Sequence, residues 1–241
     1  MLQRFALSTH FQGNIYRGLW SGNCLLCADR LPAGKDICQA CELSLPRPHQ
    51  WACPRCGAHG AVVEVQNVAC GECQIRPPAY TSTRAAFRYA MPVDKLIQNL
   101  KYHGRLELSR VLGGYLAAHL KTLNDPLPDV IVPVPLHSSR LRDRGYNQSL
   151  EIARFVAKTL HLPINWKDAQ RIRATAPQTE LPRDQRRKNV RGAFKVGEVF
   201  ANLRVAIIDD VMTSGHTVNA LAESLLRSGA LEVRVWVVAR A

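Results

Sequence analysis

The sequence predicts an α/β protein with a doubly wound, mainly parallel sheet, preceded by a small cysteine-rich region that binds metal. The first observation behind this prediction is that all eight cysteines lie between residues 24 and 73. The second is that apolar strand-like stretches alternate with amphipathic helical stretches from about residue 81 onward. The third is that the central strands are apolar on both faces, as expected when helices cover a parallel sheet.

In the larger region, one or two predicted helices separate each predicted strand from the next. Strands are predicted at 81–90, 129–136, 204–210 and 231–239. Helices are predicted at 93–104, 106–120, 147–160 and from Val218 to Leu226, with Gly229 at the last C-terminal cap. The stretch 161–190 is predicted to be irregular and basic. The domain boundary is predicted after residue 78, with a double zinc ribbon over 1–78 and the α/β domain over 79–241.

The composition favours an anionic partner. The formal net charge is +13, and basic residues concentrate at Arg140, Arg142 and Arg144 and in the segment 171–191. A solvated surface is the simpler interpretation of the same charges. No run of about 18 apolar residues is present, and the first residues lack the pattern of a signal peptide. A cytoplasmic protein is therefore predicted.

The cysteines form four Cys-x2-Cys pairs, and two such pairs supply the four thiolates of a tetrahedral zinc site. The predicted zinc ligands are Cys24, Cys27, Cys38, Cys41, Cys53, Cys56, Cys70 and Cys73. No ligand position looks open, so the zinc is predicted to be structural. Disulfides, which need an oxidising compartment, and an iron–sulfur cluster are the alternatives. The spacing leaves open whether the pairs combine sequentially or in a crossed arrangement.

The stretch VAIIDDVMTSGHT, residues 205–217, places two acids and a hydroxyl-rich turn after an apolar strand. Asp209 and Asp210 can accept hydrogen bonds from the vicinal hydroxyls of a sugar. The turn into the next helix offers free amides to an anion, and Gly215 lets the backbone come close. Together these groups predict a site for a 5-phosphorylated ribose. A Walker A loop is excluded because its Gly-Lys-Ser/Thr is absent, and a capping turn with incidental acids is the simpler alternative.

This stretch resembles the phosphoribosyl pyrophosphate (PRPP) loop of type I phosphoribosyltransferases: an apolar strand, two acids, two more residues and a Thr-Thr/Ser-Gly-x-Thr turn. Two further stretches, VPVPLHSSRLRDRGYNQS (132–149) and QTELPRDQRRKNVRGAF (178–194), together with the cysteine block, resemble the ComF/GntX family over nearly the whole chain. The resemblance implies a type I phosphoribosyltransferase-like fold and a role in DNA uptake during competence or in the use of external DNA as a nutrient.

The resemblance also implies roles for individual residues. Asp209 and Asp210 would hold the ribose, and the 5-phosphate would bind to Thr213, Ser214, Gly215, His216 and Thr217. The pyrophosphate would face Pro135, Leu136, Arg140 and Arg144. A flexible hood, about 161–195, would cover C1 of the ribose, and the candidate catalytic residues are Arg183, Arg187 and Lys101. Lys101 is alternatively a partner for the dipole of its own helix. Mg²⁺ would enter with PRPP, on the oxygens of the ligand.

Three functions stay open on the sequence alone. The first is a phosphoribosyltransferase with an unknown acceptor, and the second is a PRPP- or nucleotide-binding module with little turnover. The third is a zinc-ribbon protein that binds single-stranded DNA, with proteins of DNA uptake as further partners. Thr213 stands where relatives that act on 6-oxopurines have an aspartate, which argues against an acceptor of the hypoxanthine or guanine type.

Overall fold

The computed structural model of the protein describes residues 22–48, 52–58, 68–174 and 192–241. By its internal contacts the chain divides into two compact units, Met1–Leu45 and Pro46–Ala241. This division separates the first four cysteines from the last four, whereas the boundary predicted after residue 78 keeps them together. That boundary stays a prediction about where the chain can be divided into folding domains.

The first unit is built around its cysteines. Strand β1 (Gly22–Asn23) pairs antiparallel with β2 (Arg30–Leu31), and helix α1 (Gln39–Leu43) follows. The apolar side chains buried among its described residues, besides Cys24, are Leu31, Ile37 and Leu45. So small a core cannot offset the entropy of ordering the chain, and a bound metal is the usual remedy.

The second unit alternates helices and strands as predicted. Its described elements up to residue 160 are α2 (Gly71–Ile75), β3 (Thr83–Arg88), α3 (Val93–Tyr102), α4 (Glu107–Thr122), β4 (Val130–Pro133), α5 (Ser138–Arg144) and α6 (Gln148–Leu160). They continue with β5 (Ala169–Arg171), β6 (Phe194–Val196), a 3₁₀ turn (Glu198–Phe200), β7 (Arg204–Met212), α7 (His216–Arg227) and β8 (Glu232–Arg240).

The main sheet has the strand order β3-β8-β7-β4, and all its neighbouring strands are parallel. Its register places Val132 of β4 beside Ile207 of β7, and Ile207 beside Val235 of β8. The predicted parallel sheet is therefore confirmed. Because the strands are parallel, their carboxyl ends share one edge, which is where ligands bind in sheets of this kind.

Helices cover both faces of this sheet. Val205 and Ile207 of β7 belong to the same apolar cluster as Val218 and Leu221 of α7. The alternate residues of β7, which point to the opposite face, are also buried, while α4 and α6 pack against each other and against the strands. The prediction of a doubly wound sheet is confirmed. Among the described residues, no helix combines the length and apolar character needed to cross a membrane.

Two regions differ from the elements predicted from the sequence. Helix α5 was not predicted, because seven residues are too few to show a helical period. It ends at Arg144, and Gly145 adopts the left-handed φ of 83° that closes it. Asn147 then caps α6 by accepting from the amides of Ser149 and Leu150. The stretch predicted as irregular contains β5, which pairs antiparallel with β6.

Candidate functional site

The two acids lie inside β7, two residues before its end. The sequence predicts that the strand stops at Asp210, but ladder partners on β8 carry it on to Met212, which pairs with Arg240. The loop that follows is Thr213–Gly215, and α7 begins at His216. The N-terminus of α7, which is the positive end of its helix dipole, therefore lies at the carboxyl edge of the sheet, where it favours an anion.

Gly215 is required by the shape of this loop. Its φ is 76°, a left-handed conformation that other residues adopt at a cost. A Cβ atom at this position would also lie 2.8 Å from Cε of Met212 and 3.2 Å from the hydroxyl oxygen of Tyr80. Beside it, Oγ of Ser214 lies 3.0 Å from Nδ1 of His216, so these two side chains contact each other.

Each acid is held by a residue from a different helix. Nζ of Lys101, in the last turn of α3, lies 2.7 Å from Oδ2 of Asp210. The hydroxyl of Ser149, in the first turn of α6, donates to Oδ1 of Asp209 at 2.8 Å. The Asp210 side chain is only 3% exposed, whereas Asp209 is partly exposed. Lys101 therefore reaches the site, in addition to its place at the end of its helix.

The acids and the lysine shift one another's protonation. Burial, and then the charge of Asp210, raise the pKa of Asp209 to about 7, against a smaller opposing effect of Lys101 and Ser149. Burial alone would lower the pKa of Lys101, but the carboxylates of Asp210 and Asp209 outweigh it and raise that pKa. The lysine is therefore a stable cation, whereas the charge of Asp209 changes near neutral pH.

These groups open into a cleft of about 470 Å³, a volume typical of small-ligand sites. Of the predicted ligand-binding residues, those that line it are Asp209, Asp210, Thr213, Gly215, Thr217, Leu136, Arg140 and Arg144, together with Lys101. Ser214 and His216 belong to the same loop but are not among the lining residues. Pro135 lines a neighbouring cavity instead, and Arg183 and Arg187 lie outside the described residues.

The cleft has an excess of positive charge. Its lining contains four lysine or arginine residues, at 101, 140, 144 and 171, against the two aspartates. Arg144 is held in place by donating to Oε1 of Gln148, and its guanidinium lies 5.6 Å from the ring centre of Tyr102. The carboxylates lie beside the loop, so the arrangement offers separate positions for hydroxyl groups and for phosphate groups.

Several residues of this site have no role that the sequence predicts. Ser149 and Gln148 stand in the quoted motif RGYNQS, yet the motif does not reveal that they hold Asp209 and Arg144. Tyr102 and Arg171 line the cleft from α3 and β5. In the sequence Arg171 is one of several basic residues in its stretch, and nothing there indicates which of them points into the cleft.

The eight cysteines form two separate groups of four. One consists of Cys24, Cys27, Cys38 and Cys41, and the other of Cys53, Cys56, Cys70 and Cys73, with all sulfurs of a group within 4.8 Å of one another. The pairs thus combine sequentially. The sulfurs of Cys27 and Cys38 are 3.7 Å apart, as are those of Cys56 and Cys70. Four sulfurs about 2.3 Å from a tetrahedral zinc ion would be about 3.8 Å apart, so both groups fit zinc.

Backbone amides donate a hydrogen bond to a sulfur in each of the two cysteine groups. The amide of Cys38 donates to the sulfur of Cys24 at 3.4 Å, and the amide of Cys70 to the sulfur of Cys53 at 3.3 Å. Such donors stabilise thiolates, which are the form that binds metal. Each group therefore has the ligands and the surrounding amides that a structural zinc ion requires.

Comparison with curated proteins finds relatives along almost the full chain. The DNA utilization protein YhgH of Escherichia coli (strain K12) is 34% identical over 91% of this chain and 97% of its own length. Competence protein F of Haemophilus influenzae is 30% identical over 90% of this chain and 96% of its own. Competence protein ComFC of Bacillus subtilis is 22% identical over 83% of this chain and 81% of its own. No family model matches the chain.

Comparison with solved structures finds partial matches. Glutamine PRPP amidotransferase from B. subtilis matches 54% of this chain and a quarter (25%) of its own, at 23% identity and a TM-score of 0.37. A purine phosphoribosyltransferase from Pyrococcus horikoshii matches 52% of this chain and 69% of its own, at 19% identity and a TM-score of 0.31. The fold described above rests on the order of the strands and not on these matches.

Proposed function

The chain belongs to the family of the DNA utilization protein YhgH and competence protein F, and on this premise we propose that it binds PRPP or a related ribose phosphate while serving the use of external DNA. The observation that carries the proposal is the composition of the cleft at the carboxyl edge of the sheet. Two carboxylates, the loop that leads into the N-terminus of α7 and an excess of cationic side chains meet there, at the end of β7.

Each part of the ligand has a complementary group. The carboxylates of Asp209 and Asp210 accept hydrogen bonds from ribose hydroxyls, with Lys101 moving away from Asp210 or bridging to the ligand. The loop Thr213–Gly215 and the start of α7 take the 5-phosphate. The pyrophosphate lies against Arg140 and Arg144, whose charges match its own.

Magnesium suits this arrangement as an ion carried by the ligand. Asp210 is paired with Lys101 and Asp209 with Ser149, so the described residues form no carboxylate cage of their own around a cation. Mg²⁺ commonly retains water and binds through substrate phosphates, and there it neutralises their charge. The contribution of the protein is to hold the ribose and to place the pyrophosphate.

Calorimetry with PRPP and Mg²⁺ tests the binding proposal. We expect a dissociation constant in the micromolar range, and a loss of at least about tenfold for Asp210→Asn, which breaks an ion pair and removes an acceptor charge. Asp129→Asn is the matched control, because Asp129 lies at the opposite, amino-terminal edge of the sheet, where it accepts from Arg204. Absence of any heat with the wild-type protein would refute the proposal.

A separate experiment distinguishes an enzyme from a binding module. Release of pyrophosphate from PRPP is measured in the presence of nucleobases and DNA fragments. Release that depends on an acceptor and disappears in Asp210→Asn supports phosphoribosyl transfer. Thr213, which replaces the aspartate of enzymes that act on 6-oxopurines, leads us to expect no release with hypoxanthine or guanine.

Binding of single-stranded DNA is the second candidate function, and the net charge of +13 favours it. The exposed Arg142 on α5 and the basic segment 171–191 are the proposed contacts. We expect affinity for an oligonucleotide to fall steeply with salt. Fluorescence anisotropy of a triple variant, Arg183→Ala, Arg186→Ala and Arg187→Ala, checks the segment, and an affinity equal to that of the wild type would exclude it.

A further inference from the structure

Arg240, at the end of β8, is a buried cation whose hydrogen bonds go to backbone carbonyls. It is only 8% exposed. Its Nε donates to the carbonyl of Cys56 at 2.8 Å, and its Nη1 donates to the carbonyls of Met212, at 3.1 Å, and Thr213. Burial of a charge is costly unless the charge is well hydrogen-bonded. The buried guanidinium of Arg240 therefore depends on these carbonyls, whereas an apolar side chain would not.

Nε and Nη1 of Arg240 donate to two different parts of the chain. Cys56 is a member of the second cysteine group and closes its first turn, in which the amide of Gly57 donates to the carbonyl of Cys53 at 2.8 Å. Thr213 is the first residue of the phosphate loop, which consists of Thr213–Gly215 and is the proposed site of the 5-phosphate. Because the guanidinium is planar and rigid, it fixes the distance between the cysteine turn and the loop.

A second path joins the same two places. The amide of Thr83 donates to the carbonyl of Pro54 at 3.2 Å, inside the cysteine turn, and its hydroxyl contacts the sulfur of Met212 at 4.0 Å. A Cβ atom on Gly57 would be 3.1 Å from Cγ2 of Thr83. Met212 in turn lies against Gly215 of the loop. The turn of the second cysteine group therefore packs directly beneath the end of β7.

We infer that Arg240 is a positioning residue that ties the phosphate loop to the second cysteine group, so that this loop is held in shape only while that group holds its metal. The inference rests on the proposed function in that ribose phosphate is taken as the ligand of the loop. A metal ion fixes the turn from Cys53 to Cys56 and with it the carbonyl to which Arg240 donates. Loss of the metal frees this carbonyl, and the loop loses one of its fixed points.

The first experiment replaces Arg240 by lysine, which keeps the charge but cannot reach two separated groups of carbonyls with a planar fork. We expect Arg240→Lys to weaken PRPP binding by roughly tenfold and to speed hydrogen exchange of the amides at 213–217. Arg234→Lys is the matched control on the same strand, since Arg234 donates to Glu232 and to the carbonyl of Pro126. Equal exchange in the two variants would overturn the inference.

The second experiment leaves Arg240 intact and removes metal from one group at a time. Cys56→Ser disrupts the second group, and Cys27→Ser disrupts the first as a control for the loss of any zinc ion. We expect faster exchange at 213–217 and weaker PRPP binding for Cys56→Ser alone. A loop that exchanges at the wild-type rate in Cys56→Ser would overturn the inference, and this arm also decides it if Arg240→Lys does not fold.

Failure of the inference and failure of the proposed function give different results. A wild-type protein that binds no PRPP contradicts the proposed function, while hydrogen exchange at the loop still measures its connection to the second cysteine group. The inference alone is contradicted if the wild-type protein binds PRPP and both Arg240→Lys and Cys56→Ser keep its affinity for PRPP and its rate of hydrogen exchange at the loop.

Discussion

Asp209 and Asp210 are neighbours in the chain but have different surroundings. Asp210 is buried against Lys101, whereas Asp209 is partly exposed in the cleft and accepts from Ser149. One lysine cannot neutralise both carboxylates, so the acid that lacks the direct ion pair holds a proton more readily. Burial, and then the charge of Asp210, raise the pKa of Asp209 to about 7, and Lys101 opposes them only in part.

This shift predicts that PRPP affinity depends on pH. Protonated Asp209 is a weaker acceptor for ribose hydroxyls, so affinity should rise as pH increases through about 7. In Lys101→Met the cation that lowers this pKa is gone, and the midpoint should move to higher pH. Calorimetric titrations from about pH 6 to about pH 9 measure both midpoints.

Asp209→Asn serves as the control, because it should remove the dependence that is not due to the ligand's own phosphates. The stability of the fold depends on pH in the opposite direction. The pKa of Asp209 in the folded protein lies above its ordinary value of 3.8, so this carboxyl stabilises the folded state fully below pH 3.8. That contribution is lost as pH rises through about 7. Identical midpoints of PRPP affinity against pH in the wild type and in Lys101→Met would contradict the assignment of this pH dependence to Asp209.

Gly215→Ala is predicted to abolish most of the affinity for ribose phosphate. The new Cβ would meet Cε of Met212 at 2.8 Å, at a φ of 76° that alanine adopts only under strain, so the loop must move. Gly104→Ala is the matched control, because its φ is 65° but nothing lies within 4 Å of the new Cβ. Calorimetry and thermal unfolding should show a loss of stability of about 1–2 kcal/mol in both variants and a loss of affinity only in Gly215→Ala.

At the scale of elements, the site depends on how the helices are placed. The first turn of α6 supplies Ser149, which holds Asp209, and Gln148, which holds Arg144. That turn is fixed by Asn147, whose side chain accepts from two amides of α6 and donates to the carbonyl of Val134 after β4. One capping residue therefore connects the helix that holds Asp209 to the carboxyl edge of the sheet after β4.

The crossing of α4 and α6 is predicted to tolerate no side chain at Gly113. A Cβ atom there would lie 2.9 Å from the carbonyl oxygen of Ile152 and 2.9 Å from Cβ of Phe155, so the helices must separate. We expect Gly113→Ala to lower the free energy of unfolding by about 1–3 kcal/mol.

Gly114→Ala provides the matched comparison in the same helix. Gly114 is exposed, with nothing within 4 Å of the added atom, so alanine should raise the free energy of unfolding by about 0.5–1 kcal/mol through helix propensity. Urea unfolding of both variants measures the difference. Equal effects would show that the helices do not pack as closely as described.

At the scale of the whole molecule, two cysteine groups belong to two compact units. In the first unit the cysteines stand in for a core, whereas in the second the cysteine turn packs against a large sheet domain. The same ligand chemistry therefore has different consequences for folding in the two places.

Removal of zinc is predicted to act unequally on the two units. Metal analysis of reduced protein should find one zinc ion per cysteine group, and Cys27→Ser and Cys56→Ser should each lose one of them. A chelator should unfold residues 22–45 while the sheet of the second unit keeps its circular dichroism. Purified protein without zinc, or a sheet that melts together with the first unit, would contradict this prediction.

The strands of the sheet and the loop after the two acids are predictable because each depends on a pattern of residues close together in the sequence. Alternating apolar runs indicated the strands of the sheet, and the acids followed by Thr-Ser-Gly indicated the loop. Helix α5 and strand β5 were missed, since seven and three residues are too short for a period to show. The end of β7 was placed two residues early, because its last pairings depend on β8.

The amino-acid sequence alone establishes the composition of the site: two acids, a turn that needs glycine, basic residues nearby and eight cysteines in pairs. Which of these groups meet depends on the fold. It joined the cysteine pairs sequentially, brought Lys101 to Asp210 and Ser149 to Asp209, and set Arg240 between Cys56 and Thr213. Ser149 and Asp209 are 60 residues apart and Arg240 and Cys56 are 184 apart, and contacts at such separations arise from strand order and helix packing, which no local pattern records.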